Sequence, residues 1–553
     1  MNKSTKSLAI LTLALSGLVI TAAPLHAEET ERTPAIVLTF AEGTESARLG
    51  TGGASDYEFS IDWGDGQEET YKGQAYYEHD LMGNTVKIYG DGILLLRGAG
   101  QGIISADMSG APNLIQVMLG SNGMTSLTLG NHPSLTGLYA ESNNLGAINV
   151  SGCPGMKVLD LHENAIKGTI DCSAMESLSK IDVADNNISS LILPKHSILY
   201  EVDCSNNNLT ELDVTGLNGL DGLSCSGNQL TSIDLTGLTS VTEVYVDGNN
   251  LTTIDISPCS AIEKIMAAEN EIGSIDLSQN PTLTGVYLQE NDLTAIDITA
   301  NPNIRWFNVG KNQISELDVT KQKNLSILIA DHNNLSNVDL SQNTSISSLD
   351  LSDNNLTAID MSKMGYLSQC HIENNQIASV DLSKNAYLYG LFCSNNNLTA
   401  LDLSANTYLQ RLEAYENNLT GLDITKNTGL QELLIQSNNM DKTAINSIID
   451  ALPDVTNVEI TETTEEFIRQ FNISHMPGTA EANVAAAQAK GWIVTADATP
   501  SSIDDIANDA EIIGTVYFNI EGLSSDKPFD GLNIKVDTMA NGSKKTTKFI
   551  NNK

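Results

Sequence analysis

The residues with the densest potential chemistry are aspartates. From Asp213 to Asp423 an Asp recurs every 21 residues, and two residues beyond each stands a Ser or Thr. Carboxylates stacked roughly 5 Å apart repel by about 0.8 kcal/mol in water, and by several times that at a lower effective dielectric. Hydroxyl and backbone N–H donors are expected to offset this repulsion. A row of calcium ions is the competing chemistry, since carboxylates supply the oxygen ligands that calcium takes. Asp276, Asp297, Asp318 and Asp339 are then the candidate ligands. The chain has no Gly-rich calcium loop, so neither a metal nor any other cofactor is expected. No catalytic constellation accompanies the column. The eight His are scattered, and G-x-S-x-G, H-E-x-x-H and phosphate-binding Gly loops are absent. The expectation is a protein that is not an enzyme.

A repeat positions these groups. The stretch 391–419, LFCSNNNLTALDLSANTYLQRLEAYENNL, holds two copies of the pattern L-x-[apolar]-x-x-N-x-[apolar], with their Asn at 396 and 417. The same Asn stands at Asn122, Asn143, Asn164 and Asn186, then at Asn207, Asn228, Asn249, Asn270, Asn291, Asn312, Asn333, Asn354, Asn375, Asn396 and Asn417, and last at Asn438. Steps of 21 residues, with one inserted residue near Lys167-Gly168, connect them all. A fixed period of this length signals a solenoid. Alternating apolar residues before each Asn predict a short strand with one buried face. The Asn follows at a tight bend, its amide turned inward, where it donates and accepts and so satisfies backbone groups that the bend exposes. A second apolar pair follows, as in Leu401-Asp402-Leu403-Ser404, and a second Asn often stands ten residues past the first, as at Asn280 and Asn301. Each coil is therefore expected to have two extended sides and two polar bends. No segment inside the repeats is long enough for a helix of ordinary length. The fold class is mainly β, a solenoid of 21-residue coils. The pattern resembles the leucine-rich-repeat family over about three fifths of the chain.

Strand alternation turns the positions six, four and two before each ladder Asn outward, onto the concave strand face. Tyr245, Met266, Tyr287 and Ile329 stand four before their Asn, and Trp306 stands six before. Together they are expected to form an exposed apolar-aromatic patch over five coils. Tyr389, Phe392 and Tyr415 are expected to form a second patch, and Asp160, Asp182 and Asp203 an acidic stripe. Exposed aromatics on a rigid face are typical binding anchors. A protein partner is the leading expectation. A glycan is the alternative, because Trp and Tyr also stack on sugar rings.

The 553 residues carry a formal net charge of −40, from 29 basic and 69 acidic side chains. That argues against nucleic acid or an anionic membrane surface as partner. Cys204, Cys225 and Cys393 stand three before a ladder Asn, an inward position, and no C-x-x-C occurs. The seven Cys are therefore expected to be small buried hydrophobes. Residues 1–27 read as a signal peptide: Lys3 and Lys6, an apolar run from Leu8 to Ile20, and Leu25-His26-Ala27 before Glu28. No transmembrane span is expected elsewhere.

Residues 28–91 precede the repeat. Their alternating segments around Trp63-Gly64-Asp65-Gly66, Tyr76-Tyr77-Glu78-His79 and Thr85-Val86-Lys87-Ile88-Tyr89 predict a small β-sandwich that covers the first coil. It resembles the polycystic-kidney-disease-like domains of bacterial surface proteins. The solenoid is assigned to 92–440. Residues 441–498 predict an α/β cap, with a helix at 443–452, a strand at 458–460, a helix at 480–490 and a strand at 492–494. With His475-Met476-Pro477-Gly478 it resembles the terminal cap of leucine-rich-repeat proteins from Bacteroides-type bacteria. A polar linker, 499–510, leads to a β-domain at 511–553. Its YFNIEG at 517–522, GLNI at 531–534 and KTTKFI at 545–550 resemble the C-terminal sorting domain of type IX secretion. These resemblances imply a monomer on the outer-membrane exterior of a Gram-negative bacterium, meeting a protein or glycan on a host, matrix or neighbouring cell.

Overall fold

Each copy of the repeat builds one three-residue strand with a fully buried middle residue, as in Trp306–Asn308, where Phe307 is buried between two half-buried neighbours. In the computed structural model, which describes residues 32–196, 198–456 and 469–497 and the backbone of four strands between 512 and 551, these strands pair in parallel at a constant register. Trp306, Phe307 and Asn308 lie opposite Gly285, Val286 and Tyr287 on one side and Ile327, Leu328 and Ile329 on the other. The sheet runs in chain order from Gln116–Met118 to Glu432–Leu434 and continues through Gln470–Asn472 to Ile493–Thr495. One apolar core runs under its whole length, from Ala35 to Trp492. All seven cysteines are buried in it as free thiols.

The strand ends in a bend with a left-handed residue directly before every ladder Asn. Sixteen of sixteen coils use it: fourteen place a non-glycine residue there, such as Glu290 (φ 56°), Lys311 (φ 51°) or Glu416 (φ 52°), and two place Gly227 and Gly248. An L side chain in this conformation costs roughly 1–2 kcal/mol, so the bend must be held by something else. The Asn holds it. Asn312 Nδ2 donates to the carbonyls of Val309 (3.1 Å) and Gly310 (3.1 Å) in its own coil and of Leu288 (2.9 Å) in the preceding one. Its Oδ1 accepts from Leu293 N of that preceding coil at 2.9 Å. Asn207 through Asn438 repeat the arrangement, as Asn354 and Asn417 illustrate.

The opposite side departs from expectation. It is not a second ladder of strands except at Ile103–Asp107 with Ser126–Thr128, and at Lys167–Asp171 with Asn187–Ile192. Elsewhere most coils turn twice, as in Ile298–Asn301 and Asn301–Ile304, each closed by an i→i+3 bond. In these turns Asp297 Oδ1 takes the N–H of Thr299 at 2.9 Å, a bond that Asp107 and Asp171 also make at the ends of the two paired segments. The inserted residue lies near Lys167-Gly168; Gly168 has φ 81°, and directly after it the register against Asn187–Ile192 slips, skipping Ser189.

The N-terminal unit extends both sides of the solenoid. Ser46–Gly52 pairs antiparallel with Leu95–Arg97, which joins the strand-face sheet, and Ile36–Phe40 pairs antiparallel with Ile103–Asp107. Its Trp63-Gly64-Asp65-Gly66 turn is closed by Asp62 Oδ1, which accepts from Gly64 N and Gly66 N at 2.9 Å each. At the other end the helix Lys442–Ala451 buries Ile445, Ile448 and Ile449, with Asp441 capping its N-terminus through Ala444 N. The second expected helix is shorter, Val484–Ala489, behind a single turn at Thr479–Glu481. Ala482 is extended between them, and Asn483 N is tied to Asn446 Oδ1 at 2.8 Å. The strands Ile512–Phe518, Ser524–Ser525, Gly531–Met539 and Lys544–Asn551 form an antiparallel sheet. The signal peptide expected at 1–27, the strand expected at 458–460 and the linker expected at 499–510 lie outside the described residues. Among the described residues, no helix is long and apolar enough to cross a membrane.

Candidate protein-binding face

The outward positions of the strand face hold most of the residues picked out by alternation. Tyr245, Met266, Tyr287, Trp306 and Ile329 are all half-buried, on five successive coils. Tyr245, Met266 and Tyr287 are direct cross-strand neighbours. The register places Trp306 beside Gly285 and Ile329 beside Asn308. Tyr245 is fixed by its hydroxyl, which donates to Glu243 Oε2 at 2.5 Å, while Glu243 Oε1 accepts from Lys264 Nζ at 2.6 Å. That bond to Glu243, with burial, pushes the Tyr245 hydroxyl up to about 12, so it stays a neutral donor. Tyr287 lies down along its strand: a Cβ added at Gly285 would sit 3.1 Å from Tyr287 Cε2. The ring edge therefore occupies the space beside the glycine, and the side chain stays half-buried.

The second patch is corrected by the same geometry. Phe392 is only 7% exposed. Its ring stacks on His371 at 4.1 Å and 7°, and the Arg411 guanidinium carbon lies 5.0 Å from its centroid. Phe392 packs within the face, so it is not an open anchor. Tyr415 is half-buried, and Tyr389 is exposed at the strand's leading edge.

Strand alternation also misses a row. Tyr366, Tyr387 and Tyr408 stand nine residues before successive ladder Asn and are all strongly exposed. Their rings stack, with centroids 6.5 Å apart for Tyr366–Tyr387 and 5.9 Å for Tyr387–Tyr408. Three tyrosines at intervals of 21 are visible in the sequence, but they lie on the bend outside the strand.

The acidic stripe is a cross-strand row, Asp160, Asp182 and Asp203. His162 sits against it, with Nδ1 2.7 Å from Asp160 Oδ1 and 3.8 Å from Asp182 Oδ2. Among the described residues, these three form the one group of metal-capable side chains with ligand atoms within 4.8 Å of one another. Burial, then the neighbouring Asp203 and Asp160 charges, raise the Asp182 carboxyl, although a bond from Ala184 N opposes them. Asp276, Asp297, Asp318 and Asp339 do not come together in such a group. Each instead accepts the N–H of the Ser or Thr two residues on, at 2.8 to 2.9 Å. Those hydroxyl and backbone bonds hold the carboxyls below their usual value.

Next to the stripe the strand face has a gap. Gly222 and Ser224 lie between Glu201 and Asp203 on one coil and Glu243 and Tyr245 on the next. The resulting pocket encloses about 420 Å³, with Tyr200 and Asp221 also in its lining.

No family model matches this sequence, and no curated protein does. Solved structures do match its shape. The functional domain of InlJ from Listeria monocytogenes is 20% identical, with a TM-score of 0.53, over 85% of this chain and 93% of that one. YopM from Yersinia enterocolitica is 22% identical, with a TM-score of 0.56, over 70% of this chain and 83% of that one. Both are leucine-rich-repeat proteins. With the 21-residue coils, the parallel strand sheet and the Asn ladder, the fold is that of a leucine-rich-repeat solenoid.

Proposed function

We propose that this chain is an exported surface protein that binds a protein partner through its strand face, in adhesion or in contact with a host or matrix, and that it performs no catalysis. The observation that carries this reading is the half-exposed row of Tyr245, Met266, Tyr287, Trp306 and Ile329 on a rigid, hydrogen-bonded sheet. Rigid anchors lose little conformational freedom on binding, and central aromatics dominate interface energetics. A parallel sheet with each side chain in register also presents a surface long enough for a macromolecular partner.

The test is Tyr287→Ala with Trp306→Ala in the purified chain. Both side chains face outward, so the melting temperature stays near wild type. Binding to intact target cells or immobilised matrix falls at least tenfold, since such anchors often contribute about 2 kcal/mol or more each. Asp402→Ala, an exposed position on the opposite side, is the control. A folded double variant that binds like wild type removes the patch from consideration. The glycan alternative draws on the exposed Tyr366–Tyr387–Tyr408 row, and a glycan array run beside a protein panel separates the two. Surface location rests on the resemblance of 511–553 to a sorting domain. Deleting those residues leaves every coil in place, and the truncated chain is expected to accumulate in the periplasm. Unchanged surface exposure would refute the sorting role.

A further inference from the structure

The gap beside the acidic stripe has the construction of a side-chain receptor. It arises because one coil carries Gly222 and Ser224 where both neighbouring coils carry large polar side chains. A Cβ placed on Gly222 would meet nothing within 4 Å, so the floor is open. At about 420 Å³ the pocket is within the range of small-ligand sites. Four carboxylates line it, from Glu201, Asp203, Asp221 and Glu243, together with two tyrosines, Tyr200 and Tyr245.

We propose that this pocket receives an arginine side chain of the protein partner, an inference that rests on the protein-binding reading above. The carboxylates are already fixed. Glu201 is held by Lys180 at 2.8 Å and Glu243 by Lys264 at 2.6 Å, whereas Asp203 takes the Ser205 hydroxyl at 2.6 Å and Asp221 the Thr242 hydroxyl at 3.1 Å. Among the described residues, neither Asp203 nor Asp221 forms an ion pair. Two acceptors therefore stand ready without a cation and lose little freedom when one arrives. A guanidinium offers five N–H donors in a planar fork that matches carboxylates two bonds at a time. Its flat faces also stack on tyrosine rings, and Tyr200 is 46% exposed at the rim. The two walls stand two strand spacings apart, roughly 9–10 Å. Among the described residues, these four carboxylates do not form a group of three or more ligand atoms within 4.8 Å of one another, and the gap between the walls suits a long side chain with a broad head.

The experiment uses the full chain labelled with 3-fluorotyrosine, with the Tyr200 and Tyr245 fluorine signals assigned through Tyr→Phe variants. The probe is N-acetyl-arginine amide, and its counterpart is N-acetyl-citrulline amide, which keeps the shape and loses the charge. The expected result is a saturable shift of the Tyr200 and Tyr245 signals with the arginine probe, at least ~10-fold weaker with citrulline because charge-assisted bonds are lost. Gly222→Leu fills the gap and abolishes the shift. Asp203→Asn with Asp221→Asn, which fills nothing, weakens it and serves where the leucine variant fails to fold. Equal binding of citrulline, or a shift that survives in both folded variants, overturns the proposal, as does the absence of any saturable shift in the wild-type chain. Those outcomes leave the Tyr287 and Trp306 test untouched, so this inference fails separately from the binding face itself.

Discussion

Replacing Asn312 by Ala tests the ladder, and its effect can be worked out bond by bond. Asn312 is 8% exposed and makes four hydrogen bonds. Three go to carbonyls that keep other donors after the change. Leu288 O retains Asn291 Nδ2 at 3.1 Å, Val309 O retains Asn333 Nδ2 at 2.9 Å, and Gly310 O retains Glu290 N at 3.0 Å. The fourth bond has no substitute: Leu293 N is left buried without an acceptor. An orphaned buried donor costs about 1–3 kcal/mol, and the small void left by the amide adds roughly 1 kcal/mol. The expected loss is about 3 kcal/mol, well below the sum of four bonds. Asn312→Asp costs more at neutral pH, because a carboxylate then faces three carbonyl oxygens, and it recovers in part once acid restores a donor. Glu316→Ala, one turn further on and exposed, changes stability by less than ~0.5 kcal/mol. The assay is amide hydrogen exchange at Leu293 alongside urea unfolding, since repeat arrays open locally. Fast exchange at Leu293 in the Ala variant, with slow exchange in wild type, is the expected signature. If Asn312→Ala and Glu316→Ala lose equally little, or if Asp is tolerated like Asn, the ladder does not hold the bend.

Three further outcomes follow from the geometry. Because Asp297 and Asp318 are already capped by Thr299 and Thr320, adding calcium over EDTA should leave the melting temperature unchanged; a saturable rise that Asp297→Asn with Asp318→Asn abolishes would establish a metal column. Glu416→Gly should raise stability by about 0.5–1 kcal/mol in chemical denaturation, since relief of left-handed strain of ~1–2 kcal/mol exceeds the entropy cost of glycine; a loss would contradict the strain. Burial lowers the His162 pKa, but the hydrogen bond to Asp160 and the charges of Asp160, Asp182 and Glu163 outweigh it and hold the value above 6.5. The stabilisation from that pair is thus complete below the unfolded-state pKa and lost as pH rises through the raised one, and a nuclear magnetic resonance titration midpoint at or below 6.5, or one that Asp160→Asn leaves in place, would exclude the pairing.

Much of the solenoid is legible in the chain because its determinants are local and repeat in phase. Asn312 and its fifteen counterparts mark the bend, the alternation around Phe307 marks the buried face, and the period slips by one residue near Gly168, where the pairing register of that segment also shifts. The Asp and Ser/Thr pairs also act as their spacing implies. What alternation does not resolve is which outward side chains stay open, because that depends on neighbours along and across strands. Phe392 and Tyr287 share one phase and each packs beside a glycine, yet His371 and Arg411 also cover the first, which is buried, while Tyr287 stays half-buried. The turns opposite the strand face escape prediction for a related reason. Apolar spacing is the same in a strand and in two successive turns, and the Asp to Ser or Thr hydrogen bond accompanies both. The pocket at Gly222 is equally hidden, since an absence of side chain carries meaning only beside Glu201 and Glu243.

The ladder has a mechanical consequence. Its bonds join each coil to the one before it, as Asn312 does through Leu288 and Leu293. A load applied between the two ends of the solenoid therefore pulls coils apart in sequence and does not shear a whole sheet at once. Each coil that parts releases 21 residues, roughly 70 Å of extended chain. A protein built this way lengthens one coil at a time under tension and rewinds when slack returns.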